Sequence, residues 1–346
     1  MNVGLTYDLR QDYLAMGFDE EEAAEFDNPG TVDGLEQALQ ELGYQTDRIG
    51  HLRRLVGRLA AGDRWDMVFN IAEGSGGFGR ESQIPALLEA YGIPYTFSDP
   101  LTLAVTLHKG MAKHIVRDLG VPTPDFAVVD SAADLDSVRL PFPLFAKPVA
   151  EGSGKGISTA SRIDDYQALT DTCRSLLTRH KQPVLVETFL PGREFTVGVT
   201  GQGKTAQVIG VMEIILLDTA EPGAYSYYNK EHSKDDQGGW VVTCKLVDDD
   251  QAREAGRVAL AAWTGLGCRD AGRVDLRADA QGRPKFIEVN PLAGLNPDHS
   301  DLPILCRLVG RSYVSLIANI MDAALTRAGV GPRMGTVMPR STIIRS

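Results

Sequence analysis

Two carboxylates and an amide recur at strand spacing in the last quarter of the chain. Gly272-Arg273-Val274-Asp275-Leu276-Arg277 and Phe286-Ile287-Glu288-Val289-Asn290 flank a turn at Ala280-Gln281-Gly282-Arg283. Strand side chains alternate between faces, so Arg273, Asp275 and Arg277 share one face, and Phe286, Glu288 and Asn290 share one on the second strand. A symmetric turn sets Asp275 opposite Glu288 and Arg273 opposite Asn290, with Cβ atoms about 5 Å apart. Hard oxygen ligands so close repel unless a cation lies between them, and they suit Mg²⁺ shared with substrate phosphates. Arg273 beside them would steady charge on a transferring phosphoryl group. A solvated hairpin face with a cross-strand ion pair has the same pattern.

Two further segments carry polar groups at suggestive spacing. Phe145-Ala146-Lys147-Pro148 runs into Glu151-Gly152-Ser153-Gly154-Lys155-Gly156-Ile157-Ser158. Alternate glycines let backbone approach a ligand closely, and successive N–H groups can cradle an anion beside the Lys147 charge. It is not a Walker A loop, which needs glycine where Val149 stands and Ser or Thr where Gly156 stands; a glycine-rich hairpin turn is the plainer alternative. In Val184-Leu185-Val186-Glu187-Thr188-Phe189-Leu190 followed by Pro191-Gly192-Arg193-Glu194, Glu187 could accept from a base and Glu194 from ribose hydroxyls, or both could be surface glutamates.

The elements that must position these groups alternate. Val3–Tyr7, Met67–Ile71 and Ile93–Phe97 read as strands, and Ser82–Tyr91 reads as a helix. So does a segment with Val32, Leu35, Ala38, Leu39 and Leu42 on one face and Gly43 at its stop. This implies a parallel sheet with covering helices. Residues 8–30 break the pattern as an acidic loop or partial helix over the site. One helix is expected over 101–120, others over 164–180 and 249–266, strands over 143–149, 184–189 and 194–200, weak signals over 207–247, a final helix over 304–328 and a tail after it.

Net charge is −11 with 35 basic and 46 acidic residues. That opposes a nucleic-acid partner, which wants a basic face, but not a small anion in a local basic pocket. No run reaches the roughly 20 apolar residues of a membrane span, and no signal peptide is evident. Cys173, Cys244, Cys268 and Cys306 are far apart, read as reduced thiols and so as a cytoplasmic chain. His51, His108, His114, His180 and His232 show no paired spacing.

Taken in order, with a helix bearing Lys109 before them, these motifs resemble the ATP-grasp superfamily and within it the D-alanine–D-alanine ligase family. The resemblance runs over about residues 65–326, densest from Pro94 to Lys109, Lys147 to Ser158, Glu187 to Val197 and Gly272 to Gly294. It implies an α/β fold of three domains: a Rossmann-like parallel sheet at 1–106, a central lid domain at 107–200 with the glycine-rich loop, and an antiparallel-sheet catalytic domain at 201–330, with 331–346 a disordered tail. It implies that Lys109 and Lys147 bind ATP phosphates under Gly152, Ser153 and Gly156, that Glu187 and Leu190 hold adenine and Glu194 ribose, and that Lys230 reaches the γ-phosphate. Asp275, Glu288 and Asn290 would bind Mg²⁺, two ions replaceable by Mn²⁺. Arg273 and the Gly294 N–H would stabilise an acyl phosphate and a tetrahedral intermediate. The activity implied is an ATP-dependent ligase joining a carboxylate to an amine between amino-acid-like small molecules, in a homodimer with neither nucleic-acid nor membrane partner.

Departures from the family cluster where its substrates bind. Val3 to Arg10 replaces a glycine-rich opening; Glu73 stands for a histidine and Arg80 is new; Asn290-Pro291-Leu292-Ala293-Gly294 and His299-Ser300-Asp301 alter the acceptor region. The donor and acceptor are therefore expected to differ from D-alanine. Glu73, Arg80, His299, Ser300 and Asp301 are the expected substrate contacts, Arg80 toward an added donor carboxylate. Two alternatives stand beside this reading. One is a non-catalytic ATP-binding relative acting as sensor or assembly partner. The other is a dinucleotide-binding oxidoreductase, on the match of Gly74-Ser75-Gly76-Gly77-Phe78-Gly79 to G-x-G-x-x-G.

Overall fold

The computed structural model describes residues 1–20, 22–23, 25–152, 154–216 and 242–330. Three sheets build it. The first is parallel, with β1 (Asn2–Thr6) between β2 (Gln45–Arg48) and β3 (Met67–Asn70). After β1 comes the short helix α1 (Arg10–Ala15), then α2 (Pro29–Glu41), whose Asn28 cap accepts from the Thr31 N–H at 3.1 Å. Val32, Leu35, Ala38 and Leu39 are buried on the expected face of α2, and Gly43 takes φ +85° just past its end. Helices α3 (Leu52–Ala60) and α4 (Gln83–Ala90) follow. Ile93–Phe97 is no full strand; a single parallel bridge joins Val68 to Tyr95, because Phe97 turns to φ +73° and leaves the extended region.

The expected helix over 101–120 is two, α5 (Pro100–Leu107) and α6 (Lys109–Asp118). His108 sits extended between them, and its ring accepts from the Met111 N–H at 3.2 Å. That break makes Lys109 the first residue of a helix. The second sheet is antiparallel, in the order β4 (Phe126–Val129), β7 (Val184–Thr188), β5 (Leu144–Pro148), β6 (Arg162–Ile163), backed by α7 (Tyr166–His180).

The third sheet is antiparallel too. Its order is β10 (Val242–Leu246), β9 (Gln207–Leu216), β8 (Glu194–Thr200), β11 (Ala271–Ala278), β12 (Pro284–Asn290). Helix α8 (Asp250–Gly265) lays Ala255, Ala259, Ala262 and Trp263 on it, among Val197, Val274, Leu276 and Phe286. The expected final helix is two, α9 (Asp301–Leu308) and α10 (Tyr313–Arg327), bent by 112°, with Gly310 at φ +76° between them. Leu316, Ile317, Ile320 and Met321 of α10 pack with Val3, Leu5, Leu35 and Phe69, so the last helix completes the core of the first sheet. No single helix among the described residues is long and apolar enough to cross a membrane.

The hairpin register is as expected near its open end: Arg273 pairs with Asn290, Val274 with Val289 and Asp275 with Glu288. It then shifts, pairing Leu276 with Phe286 and leaving Ile287 as an extra residue. Such a bulge reverses alternation. Phe286 therefore points into the core with Val289, fully buried, and does not share a face with Glu288 as expected.

Candidate active site

Two cavities meet at β11 and β12. The larger, about 410 Å³, opens at the carboxyl ends of β1 and β3, between residues 25–31 and the loop from Asn290 to Asp301. Open parallel sheets bind ligands at this end. The smaller, about 100 Å³, lies between the second and third sheets. Lys109, Glu151, Arg273 and Glu288 line both.

The smaller cavity collects Lys109, Lys147, Gly154, Glu187, Leu190, Glu194, Asp275 and Glu288. Lys147 Nζ lies 3.2 Å from Glu187 and 3.9 Å from Glu288, and Lys109 Nζ lies 3.5 Å from Glu288. Burial works against the Lys147 charge, yet Glu187 and Glu288 hold its pKa above the usual lysine value. Burial likewise opposes the Glu187 carboxylate, yet Lys113 and Lys147 hold its pKa below the usual range. Glu194 pairs with Arg277 at 3.5 Å, and the Arg277 guanidinium stacks 5.5 Å from the Phe189 ring.

The glycine-rich loop folds over this cavity. The Gly152 N–H donates to Glu25 Oε1 at 2.6 Å. Gly156 lines neither cavity; at φ +75° a Cβ there would sit 2.5 Å from Pro148 and 2.9 Å from His180, so only glycine fits. Ser153 and Lys230 lie outside the described residues.

Asp275 is held by the Thr196 hydroxyl at 2.9 Å, by Arg273, and by Asn290 Nδ2 at 3.2 Å. The Asn290 amide oxygen is not used in that bond. Carboxylates from Asp275 and Glu288 on facing strands, with this amide, form a hard-oxygen set that fits Mg²⁺. No group of three or more His, Cys, Asp or Glu side chains that could hold a metal occurs among the described residues. Oxygens supplied by a substrate would have to complete the coordination.

The larger cavity brings together Glu73, Arg80, Arg273, Asn290, Gly294, His299, Ser300 and Asp301. Arg273 lies 3.6 Å from Asp301. Burial disfavours its charge, but Asp275, Asp301 and Glu288 push its pKa above the ordinary arginine value. A Cβ on Gly294 would meet Ser300 Oγ at 2.8 Å and would push that hydroxyl aside. Arg80 is already engaged: it donates to Glu25 at 3.0 Å and to the Ala150 carbonyl at 2.9 Å. It still lines the cavity, with further guanidinium N–H groups beyond these two bonds. Burial, then Glu25, Glu81 and Asp27, push the Glu73 carboxyl well above the usual range. Burial pushes Glu81 and Asp27 up to about 7.

Several residues at the site escaped the sequence reading. Glu25 and Asp27 lie in the aperiodic stretch after β1, of which Arg10 and residues 25–28 line the larger cavity. Asn296 organises the loop from Asn290 to Asp301, accepting from the Asp298 N–H at 3.0 Å and donating to Thr31 Oγ1 at 2.9 Å. Lys113, fully buried, pairs with Glu187 at 2.8 Å. It stands one helical turn after Lys109, a spacing that puts both on one face and could have revealed it.

The chain matches the family model described as D-ala D-ala ligase C-terminus over residues 115–322. It is 33% identical over 293 residues to the D-alanine–D-alanine ligase of Bordetella petrii, covering 84% of this chain and 85% of that protein. Its fold is similar to the D-alanine–D-alanine ligase of Bacillus anthracis complexed with ATP, with a TM-score of 0.71 at 19% identity, covering 95% of this chain and 99% of that one. It is also similar to the VanG D-Ala:D-Ser ligase from Enterococcus faecalis, with a TM-score of 0.69 at 19% identity, covering 93% and 99%.

Proposed function

Because this chain belongs to the D-alanine–D-alanine ligase family of the ATP-grasp superfamily, we propose that it is an ATP-dependent carboxylate–amine ligase with substrates other than two D-alanines. One observation carries the reading: Asp275 and Glu288 face each other across β11 and β12 where both cavities meet, with Arg273, Lys109 and Lys147 around them. The smaller cavity takes ATP, with Glu187 and Leu190 at the base, Glu194 at the ribose and Lys109 and Lys147 at the phosphates. Ser153 and Lys230 join them under the same proposal. Gly152 and Gly156 let the loop close over the phosphates.

Mg²⁺ held by Asp275, Glu288 and Asn290 would neutralise phosphate charge during transfer. The chain's own groups do the rest. A donor carboxylate in the larger cavity attacks the γ-phosphate, forming an acyl phosphate and releasing ADP. Arg273 steadies negative charge on the transferring group, and phosphoryl transfer asks little more than positioning and charge neutralisation. The acceptor amine then attacks the acyl carbon, the Gly294 N–H stabilises the tetrahedral oxyanion, and phosphate leaves. The loop keeps water from the anhydride.

Asp301 shapes the acceptor. Its carboxylate, 3.6 Å from Arg273, disfavours an acceptor's free carboxylate nearby, so the acceptor either bears an added ammonium or binds in a different orientation. Glu73 and the buried acids near it point to a donor that also presents an ammonium. His299 and Ser300 orient the acceptor loop. The enzyme acts as a cytoplasmic homodimer on small molecules, which light scattering tests for assembly. The deciding experiment is phosphate release from ATP with pairs of amino acids and amines, read with mass spectrometry of the product. ADP with an amide product is expected. AMP and pyrophosphate contradict the acyl-phosphate route, and nucleotide binding without turnover on any pair favours a non-catalytic relative.

A further inference from the structure

A lysine with no exposed surface is costly unless each of its N–H groups is satisfied. Lys113 draws polar partners from separate parts of the fold. Its ammonium lies 2.8 Å from Glu187 on β7 and donates to Thr123 Oγ1 at 2.9 Å and to the Phe286 carbonyl on β12 at 3.2 Å. The Thr123 hydroxyl donates to the same carbonyl at 2.9 Å, and the Phe286 N–H donates to the Pro122 carbonyl at 2.7 Å. Phe286 immediately precedes the bulge residue that turns Glu288 toward the cavities. One buried charge thus joins the wall carrying Glu187 to the strand carrying Glu288.

Among the described residues the other cation on Glu187 is Lys147, on the cavity side. With Lys113 behind it, Glu187 has one oxygen neutralised from outside the pocket. Without it, Lys147 would be the sole counter-charge and would be drawn from Glu288 and from any phosphate.

We propose that Lys113 is a positioning residue for the nucleotide: from behind the pocket it fixes the Glu187 carboxylate, and through it Lys147, in the places that ATP requires. This rests on the ATP-dependent reading above. The test compares Lys113→Met with the unchanged full chain, measuring ATP binding directly and kcat and KM for ATP and for ITP, which lacks the adenine amino group. Expected are Kd and KM for ATP raised about tenfold, the loss of roughly one hydrogen bond to a charged group. The kcat should stay within about threefold, and the preference for ATP over ITP should shrink. Adding Lys113→Met to Glu187→Gln should change KM for ATP by less than about twofold, because the two act in series. An unchanged KM and ATP/ITP ratio with only a lower Tm overturns the proposal, as does the full effect persisting in the Glu187→Gln background. If Lys113→Met does not fold, Thr123→Val, which keeps the charge and loosens its seat, should raise KM for ATP about threefold; no rise overturns the proposal. An unchanged chain that fails to bind ATP defeats the ligase reading itself, not this inference alone.

Discussion

Asp301 and Arg273 form an ion pair at 3.6 Å in the wall of the larger cavity. If Asp301 selects a cationic acceptor, Asp301→Leu should lower kcat/KM for such amines about tenfold and raise it for plain zwitterionic amino acids, the scale of one lost charge contact. Equal kinetics across an acceptor panel would remove Asp301 from recognition. Asp27 offers a pH test. Its carboxyl is pushed from 3.8 to about 7 by burial in the cavity wall. Between those values the folded chain binds more protons than the unfolded one, so Asp27 makes stability fall as pH rises from about 4 to about 7. Above that window both states are ionised and its contribution is level. Urea midpoints of the ligand-free protein across this range should decline less for Asp27→Asn than for the parent; parallel declines would show that other groups govern the slope.

At the scale of elements, the glycine-rich loop and the bulged β12 form part of the wall of the smaller cavity. Gly156 combines φ +75° with contact distances of 2.5 and 2.9 Å at the Cβ position. Gly156→Ala should cost on the order of 1–2 kcal/mol from backbone handedness alone, and more from the collision. Equilibrium unfolding checks the stability, and an accompanying rise in KM for ATP checks that the loop closes on nucleotide. The strand periodicity located Asp275, Glu288 and Asn290 and their pairing, because alternation and a tight turn are local properties. It misplaced Phe286, since one added residue reverses every side chain beyond it. It merged α5 with α6 and α9 with α10, because apolar spacing runs on through His108 and Gly310 while the backbone does not.

For the whole molecule, the first and last parts of the chain stabilise one another. Arg327 near the end of α10 pairs with the fully buried Asp270 at 2.8 Å and donates to the Tyr95 carbonyl at 2.8 Å, while Asp270 accepts from the Phe97 N–H at 2.6 Å. Arg327→Met would strand a buried carboxylate and should lower unfolding free energy by about 3–5 kcal/mol. Denaturant titration reads this, and Arg327→Met with Asp270→Asn should recover part of the loss. A loss below about 1 kcal/mol would mean that the pair is screened, as surface pairs are.

The order of the motifs made the family legible by resemblance: an acidic hairpin, lysines before it and a glycine-rich loop between. Those features are legible because strand alternation, glycine conformation and helix periodicity act over a few neighbouring residues. Only the tertiary structure decided that Arg80 pairs with Glu25, that Lys113 sits behind Glu187, that Glu25 and Asp27 wall the larger cavity, and that α10 closes the first core. Charge pairing and pKa depend on burial and on groups brought together from distant positions, and no local spacing encodes that proximity.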